Sequence, residues 1–90
     1  MAAIDITKNH TLGKDTARTK ANEVIDRIKG EYGIQGSWNG DVFTITKPTE
    51  GRFTVTDTTV RCEIELSFMM RALKGKIEEK VKSELQRALG

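Results

Sequence analysis

Val60–Val81, VRCEIELSFMMRALKGKIEEKV, is the stretch whose reading decides the fold. Its first half alternates: Val60, Cys62, Ile64 and Leu66 fall on one side, Arg61, Glu63 and Glu65 on the other. That is the two-residue period of a strand with one buried face. Its second half changes period. Leu73, Ile77 and Val81, continued by Leu85, Ala88 and Leu89, recur at steps of three and four, the apolar stripe of a helix. The switch runs through Phe68, Met69 and Met70, with Arg71, Lys74 and Lys76 close behind. A half-buried strand therefore hands over directly to an amphipathic helix. Gly75 leaves the start of that helix open between an interior position and a break.

Upstream, the same two periods recur. Ala2–Thr7 alternates, with Ala2, Ile4 and Ile6 on one side, and predicts a strand followed by a polar connection at Lys8–His10. From Leu12 to Tyr32, Ala17, Ala21, Val24, Ile25, Ile28 and Tyr32 form a helical stripe. Thr11 is positioned to cap that helix, Asp15 to complement its dipole, and Gly33 to end it in a left-handed conformation. Three more strands precede Val60. They are Ile34–Trp38, Asp41–Thr46 with Phe43 and Ile45 inward, and Arg52–Val55 with Phe53 and Val55 inward. Asn39–Gly40 predicts a two-residue hairpin turn, Lys47–Gly51 and Thr56–Thr58 longer ones. Every strand has one apolar and one polar face, as in an antiparallel sheet covered on one side and wet on the other. The reading is an α+β fold in the order β-α-β-β-β-β-α, with both helices on the apolar face.

Composition narrows the function. Residues 1–90 make one domain, and at this size folding buries roughly 64% of the chain's surface, which leaves little room for an enclosed site. The net charge of +2 is not that of a polycation, but it is unevenly placed. Lys8–Lys29 and Phe68–Gly90 each carry +3, and Glu31–Ser67 carries −3. The helices are basic and the sheet acidic. The polar sheet face, with Thr44, Thr46, Thr54, Arg61, Glu63 and Glu65, lacks the aromatic pair that stacks bases, so no nucleic-acid partner is expected. No leader and no apolar run of membrane-spanning length is visible, so a cytoplasmic protein without a transmembrane segment is expected.

AIDITKNHTLG at Ala3–Gly13, WNGDVF at Trp38–Phe43, GRFTVTD at Gly51–Asp57 and above all ELSFMMRALKGKIEEKV at Glu65–Val81 resemble the polyhydroxyalkanoic acid system family, small bacterial proteins whose genes lie near those for polyester storage granules. The resemblance covers nearly the whole chain. It implies a cellular setting, with the granule surface or a granule protein as partner, and it transfers no catalytic residue.

The residues point the same way. Nucleophilic catalysis needs a nucleophile, a base and an orienting group within reach of one another. His10 and Cys62 are the single residues of their kinds, there is no GxSxG elbow, and Cys62 has an inward strand phase. One His and one Cys cannot make a protein-only zinc site, and Lys74–Gly75–Lys76 lacks the rest of a phosphate-binding loop. No catalytic residue, metal or cofactor is expected. Phe68, Met69, Met70, Arg71, Lys74 and Lys76 are the candidate partner-binding surface: three large apolar residues that cannot all face the core, followed by cations. Tyr32 and Trp38 are possible additions, though Trp38 has an inward phase. The leading expectation is a non-enzymatic granule accessory protein. Two rivals stand beside it: a carrier of acyl or hydroxyacyl ligands, with a cavity lined by Phe43, Phe53, Ile64 and Leu73, and a homodimeric structural module.

Overall fold

A computed structural model describes residues 3–90, apart from the side chain of Met69. The elements are β1 (Ile4–Asn9), α1 (Lys14–Tyr32), β2 (Gln35–Asn39), β3 (Val42–Lys47), β4 (Gly51–Val55), β5 (Thr59–Ile64), a 3₁₀ segment (Phe68–Leu73) and α2 (Lys74–Leu89). The strands form one antiparallel sheet in the order β1-β5-β4-β3-β2. Both helices pack on the same face, α2 against β1 and α1 against β4, and they touch each other along their length. The α+β class, the element order and the one-sided cover are those read from the alternation. Among the described residues, no helix is long and apolar enough to cross a membrane.

Register explains the core. Phe43 faces Phe53, which faces Cys62, which faces Ile6, so one row of side chains crosses four strands on the helix side. Ala17, Ala21, Val24, Ile25 and Ile28 of α1 and Ile77, Val81, Leu85 and Leu89 of α2 close over it. The small residues Ala17 and Ala21 are fully buried and let the first half of α1 approach the sheet closely. Gly36 does the same job between strands. A Cβ there would overlap the carbonyl oxygen of Thr44, at the point where the β2–β3 register shifts.

Several boundaries differ from the sequence reading. β1 runs on through Lys8 and Asn9, because they pair with Val60 and Thr59, so these residues are strand and not connection; Ala2 lies outside the described residues. Thr11 does not cap α1. The cap position is Gly13, at φ 81°, and the helix begins at Lys14 without a side-chain cap. The first hairpin turns at Gly40–Asp41 and not at Asn39–Gly40, since Asn39 pairs with Val42 and only Gly40 adopts positive φ. Gly in the first central position matches a type II′ turn. Gly33 ends α1 in the left-handed conformation, its N–H donating to the Lys29 carbonyl at 2.8 Å. Leu73 leaves the core stripe: it precedes α2 and is 38% exposed.

Candidate functional site

Cys62 and His10 are both committed to the fold. Cys62 is fully buried between β1 and β4, and burial pushes its thiol well above the usual range, so it stays protonated and packs as a small hydrophobe. His10 is also buried. Its Nδ1 accepts from the Leu12 N–H at 3.1 Å, which assigns the proton to Nε2, 3.1 Å from the Thr56 carbonyl. Nε2 thus ties the β1–α1 loop to the β4–β5 turn, while Nδ1 holds that loop to itself. Among the described residues no His, Cys, Asp or Glu cluster has the makings of a metal site.

The wet sheet face carries an ion ladder. Arg61 reaches Asp5 with two hydrogen bonds, at 3.0 and 2.7 Å, and lies 3.7 Å from Glu63; Arg52 donates to Glu63 at 3.0 Å. The fork geometry of Arg61 holds the Asp5 carboxyl below its ordinary pKa. An open depression of about 610 Å³ lies beside this ladder, lined by residues such as Thr44, Thr46, Arg52 and Glu63. It is open to solvent, and the charges of Arg52 and Glu63 on its wall are matched to each other.

The helix seam is likewise closed. Glu84 on α2 is buried, its side chain 4% exposed, yet it faces Arg27 of α1 at 2.8 Å, Lys80 at 3.5 Å and Arg87 at 3.8 Å. Burial alone would raise its pKa; the Arg27 hydrogen bond and the charges of Lys80, Arg27 and Arg87 outweigh it, and the carboxyl sits below its ordinary value. Lys80 also reaches Glu31 of α1 at 3.3 Å, which raises the lysine's pKa. Lys82 pairs with Glu78 at 3.5 Å. The helical pairs Glu78–Lys82 and Lys80–Glu84 are visible in the sequence as four-residue spacings. The Arg27–Glu84 bridge is not, because it joins residues 57 apart.

The Phe68–Lys76 segment is the exception. Phe68 is 88% exposed. Arg71, Lys74 and Lys76 are exposed and have no ion-pair partner among the described residues. Glu78 is four residues beyond Lys74 but pairs with Lys82, and the order Glu-then-Lys is the favoured one on a helix. The backbone here is six residues of 3₁₀ helix without a side-chain cap, and the first turn of α2 holds no acid. Lysines at a helix N-terminus face the positive end of the dipole, so they do not help the fold. Met70 behaves differently from Phe68: it is half-buried, against Tyr32, Ile34, Leu66 and Ile77. The Met69 side chain lies outside the described residues. Of the two aromatic candidates, Tyr32 borders Met70. Trp38 does not join them. It is held near the other end of α1, its Nε1–H donating to Asn22 at 2.9 Å, with Arg18 stacked 4.3 Å above the ring.

Among the described residues, Phe43, Phe53, Ile64 and Leu73 do not enclose the expected carrier cavity. Phe43 and Phe53 are 1% and 0% exposed in a filled core, and Leu73 is outside it. The gap between sheet and helices that borders Met70 measures about 20 Å³, the size of a water molecule.

A family profile described as "Putative polyhydroxyalkanoic acid system protein" matches residues 4–89. No curated protein and no solved structure matches the chain.

Proposed function

The chain belongs to the polyhydroxyalkanoic acid system family, and on that premise we propose that it is a non-enzymatic accessory protein of the bacterial cytoplasm that docks on the storage-granule surface through Phe68, Arg71, Lys74 and Lys76. One observation carries the reading: an 88%-exposed phenylalanine stands beside cations that no carboxylate neutralises among the described residues, while the cations farther along α2 are paired. An apolar side chain ringed by positive charge suits a surface that is apolar below and anionic above. Burial of Phe68 contributes about 2 kcal/mol. Each cation near an anionic surface adds about 1 kcal/mol. The sum of about 5 kcal/mol corresponds to a dissociation constant in the sub-millimolar range, so a single copy binds reversibly.

Co-sedimentation with isolated granules tests this. Wild-type protein should pellet with granules, and F68S should not. Exchange of Arg71, Lys74 and Lys76 for glutamine should weaken binding and remove most of its salt dependence. F68S that pellets like wild type overturns the reading. A dimer by light scattering that dissociates in F68S, with no granule binding by either form, also overturns it and gives the patch to a second copy of the chain.

A further inference from the structure

The sheet has two edges, and they are guarded differently. At one, β1 carries Asp5, held by Arg61, and Lys8, whose Nζ donates to Gln86 at 2.8 Å, and α2 packs against the strand. Charge and cover are the usual means by which a strand edge is kept from pairing with another chain. At the other, β2 reads Gln-Gly-Ser-Trp-Asn: no charge, no proline and, among the described residues, a neighbouring strand on one side only. The register shift beside Gly36 leaves the extra residue, Thr46, on β3, so β2 itself is an unbroken strand. Alternation sets the direction of its backbone groups. Asn39 and Val42 close the two-residue turn as a hydrogen-bonded pair, Ser37 bonds Thr44 in the same way, and Gly36 and Trp38 turn their N–H and C=O groups outward. The Val55 N–H, which donates to the Asp41 carbonyl at 2.9 Å, fixes the same phase from the far side of β3.

We infer that this edge pairs with β2 of a second copy of the chain, antiparallel about a twofold axis at Ser37, so that two sheets join into one. The outward groups set that register. Gly36 lies opposite Trp38 of the second copy, and Trp38 opposite its Gly36, and each pair exchanges both backbone hydrogen bonds. Gln35 falls opposite Asn39 and Ser37 opposite itself, all uncharged and able to hydrogen-bond across the wet face. On the helix side, the pairing sets the one large side chain of the strand beside the one residue that has none. Trp38 is held before a partner arrives, by Asn22 and by Arg18 stacked on its ring, and a glycine opposite leaves that arrangement undisturbed. An unrelated extended peptide would gain the same main-chain bonds, but β2 has no charge with which to select its side chains. The match of Trp38 to Gly36 favours the chain itself. Five-residue strands span about 17 Å, so the contact is small and the dimer of the weak, reversible kind. The inference uses none of the docking residues and stands apart from the granule reading.

The test is sedimentation velocity of the whole protein over a concentration series, with amide hydrogen exchange read at Gly36 and Trp38. Wild type should associate to a dimer, and these two amides should slow as concentration rises while those of β1 do not. Ser37 is exposed on the wet face, so S37K and S37E should keep a native thermal melt. Each alone sets like charges face to face at the axis and should weaken the dimer several-fold. An equimolar mixture of the two sets opposite charges face to face and should restore it. A monomer at every concentration overturns the inference, and so does a dimer that S37K and S37E leave unchanged. Loss in each variant without recovery in the mixture overturns the register. F68S separates this proposal from granule docking: it should lose granules and still dimerise. A dimer that F68S dissociates overturns the edge and gives the contact to the exposed Phe68 foot.

Discussion

The two ends of α2 behave like different materials. From Ile77 onward, its apolar stripe is buried, Glu84 gathers three cations around a sheltered carboxylate, and Lys80 reaches across to α1. Before Ile77, the chain has an exposed phenylalanine, a half-buried methionine, no cap and cations facing the wrong end of the dipole. A sequence optimised only for folding would pair or remove those cations. That contrast is what the proposed contact surface rests on, and each experiment below either widens it or removes it.

The largest effect belongs to the core. F53A removes a ring with no solvent exposure from the middle of the row Phe43–Phe53–Cys62 and should cost about 3–5 kcal/mol. Domains of this class hold about 5–15 kcal/mol in total, so urea unfolding should shift to a fraction of its wild-type midpoint. F68S, which removes the same ring from the other region, should stay within about 0.5 kcal/mol of wild type. Comparable losses in both would mean that Phe68 is buried in solution and the contrast is false.

Next comes Gly36. A methyl at this position collides with backbone, the Thr44 carbonyl and the Ile45 Cα, which cannot rotate away as a side chain would. G36A should therefore cost about 2–3 kcal/mol, seen as a lower thermal midpoint. A neutral result would show that the β2–β3 register can slide.

Smaller again is the seam. E84Q keeps the shape and loses the charge that Arg27, Lys80 and Arg87 share, and should cost about 1–2 kcal/mol near neutral pH. Glu84 and Asp5 are both lowered in the folded protein. Their stabilising contribution is therefore complete above the unfolded carboxylate values near pH 4 and is lost as pH falls through the lower folded values. Chemical denaturation followed from pH 6 to pH 2 should show wild-type stability declining over that window and a shallower decline in E84Q. Parallel curves would mean that the seam carboxylate is not held ionised.

The sequence carried most of this contrast, for a physical reason. Period-2 and period-3.6 patterns report which side of an element is buried, and burial is what orders both the sheet and the helices, so element order and faces were legible from Ile4 to Leu89. Local turn geometry was less so. Asn39–Gly40 and Thr11 are good turn and cap chemistries, yet pairing of Asn39 with Val42 moved the turn by one residue, and the β1–α1 loop spends His10, not Thr11, on its backbone. Tertiary contacts override local preference in such places. The exposed foot was visible as three large apolar residues at a change of period. The Arg27–Glu84 bridge was not, because it joins residues far apart in the chain.

The smallest effect on stability is the most discriminating. Lys76 lies in the first turn of α2, where a positive charge opposes the dipole. K76E reverses that sign and also places an acid four residues before Lys80, the favoured order for a helical pair. The variant should be more stable than wild type by about 0.5 kcal/mol, a shift of a few degrees in thermal midpoint. The same change subtracts two units of charge from the proposed contact surface, so granule pelleting at low salt should fall several-fold. Stability and binding are expected to move in opposite directions here, whereas a residue retained for the fold would lose both together. If K76E instead destabilises the protein and leaves granule binding intact, the lysines belong to the fold, and the distinction between the two ends of α2 fails.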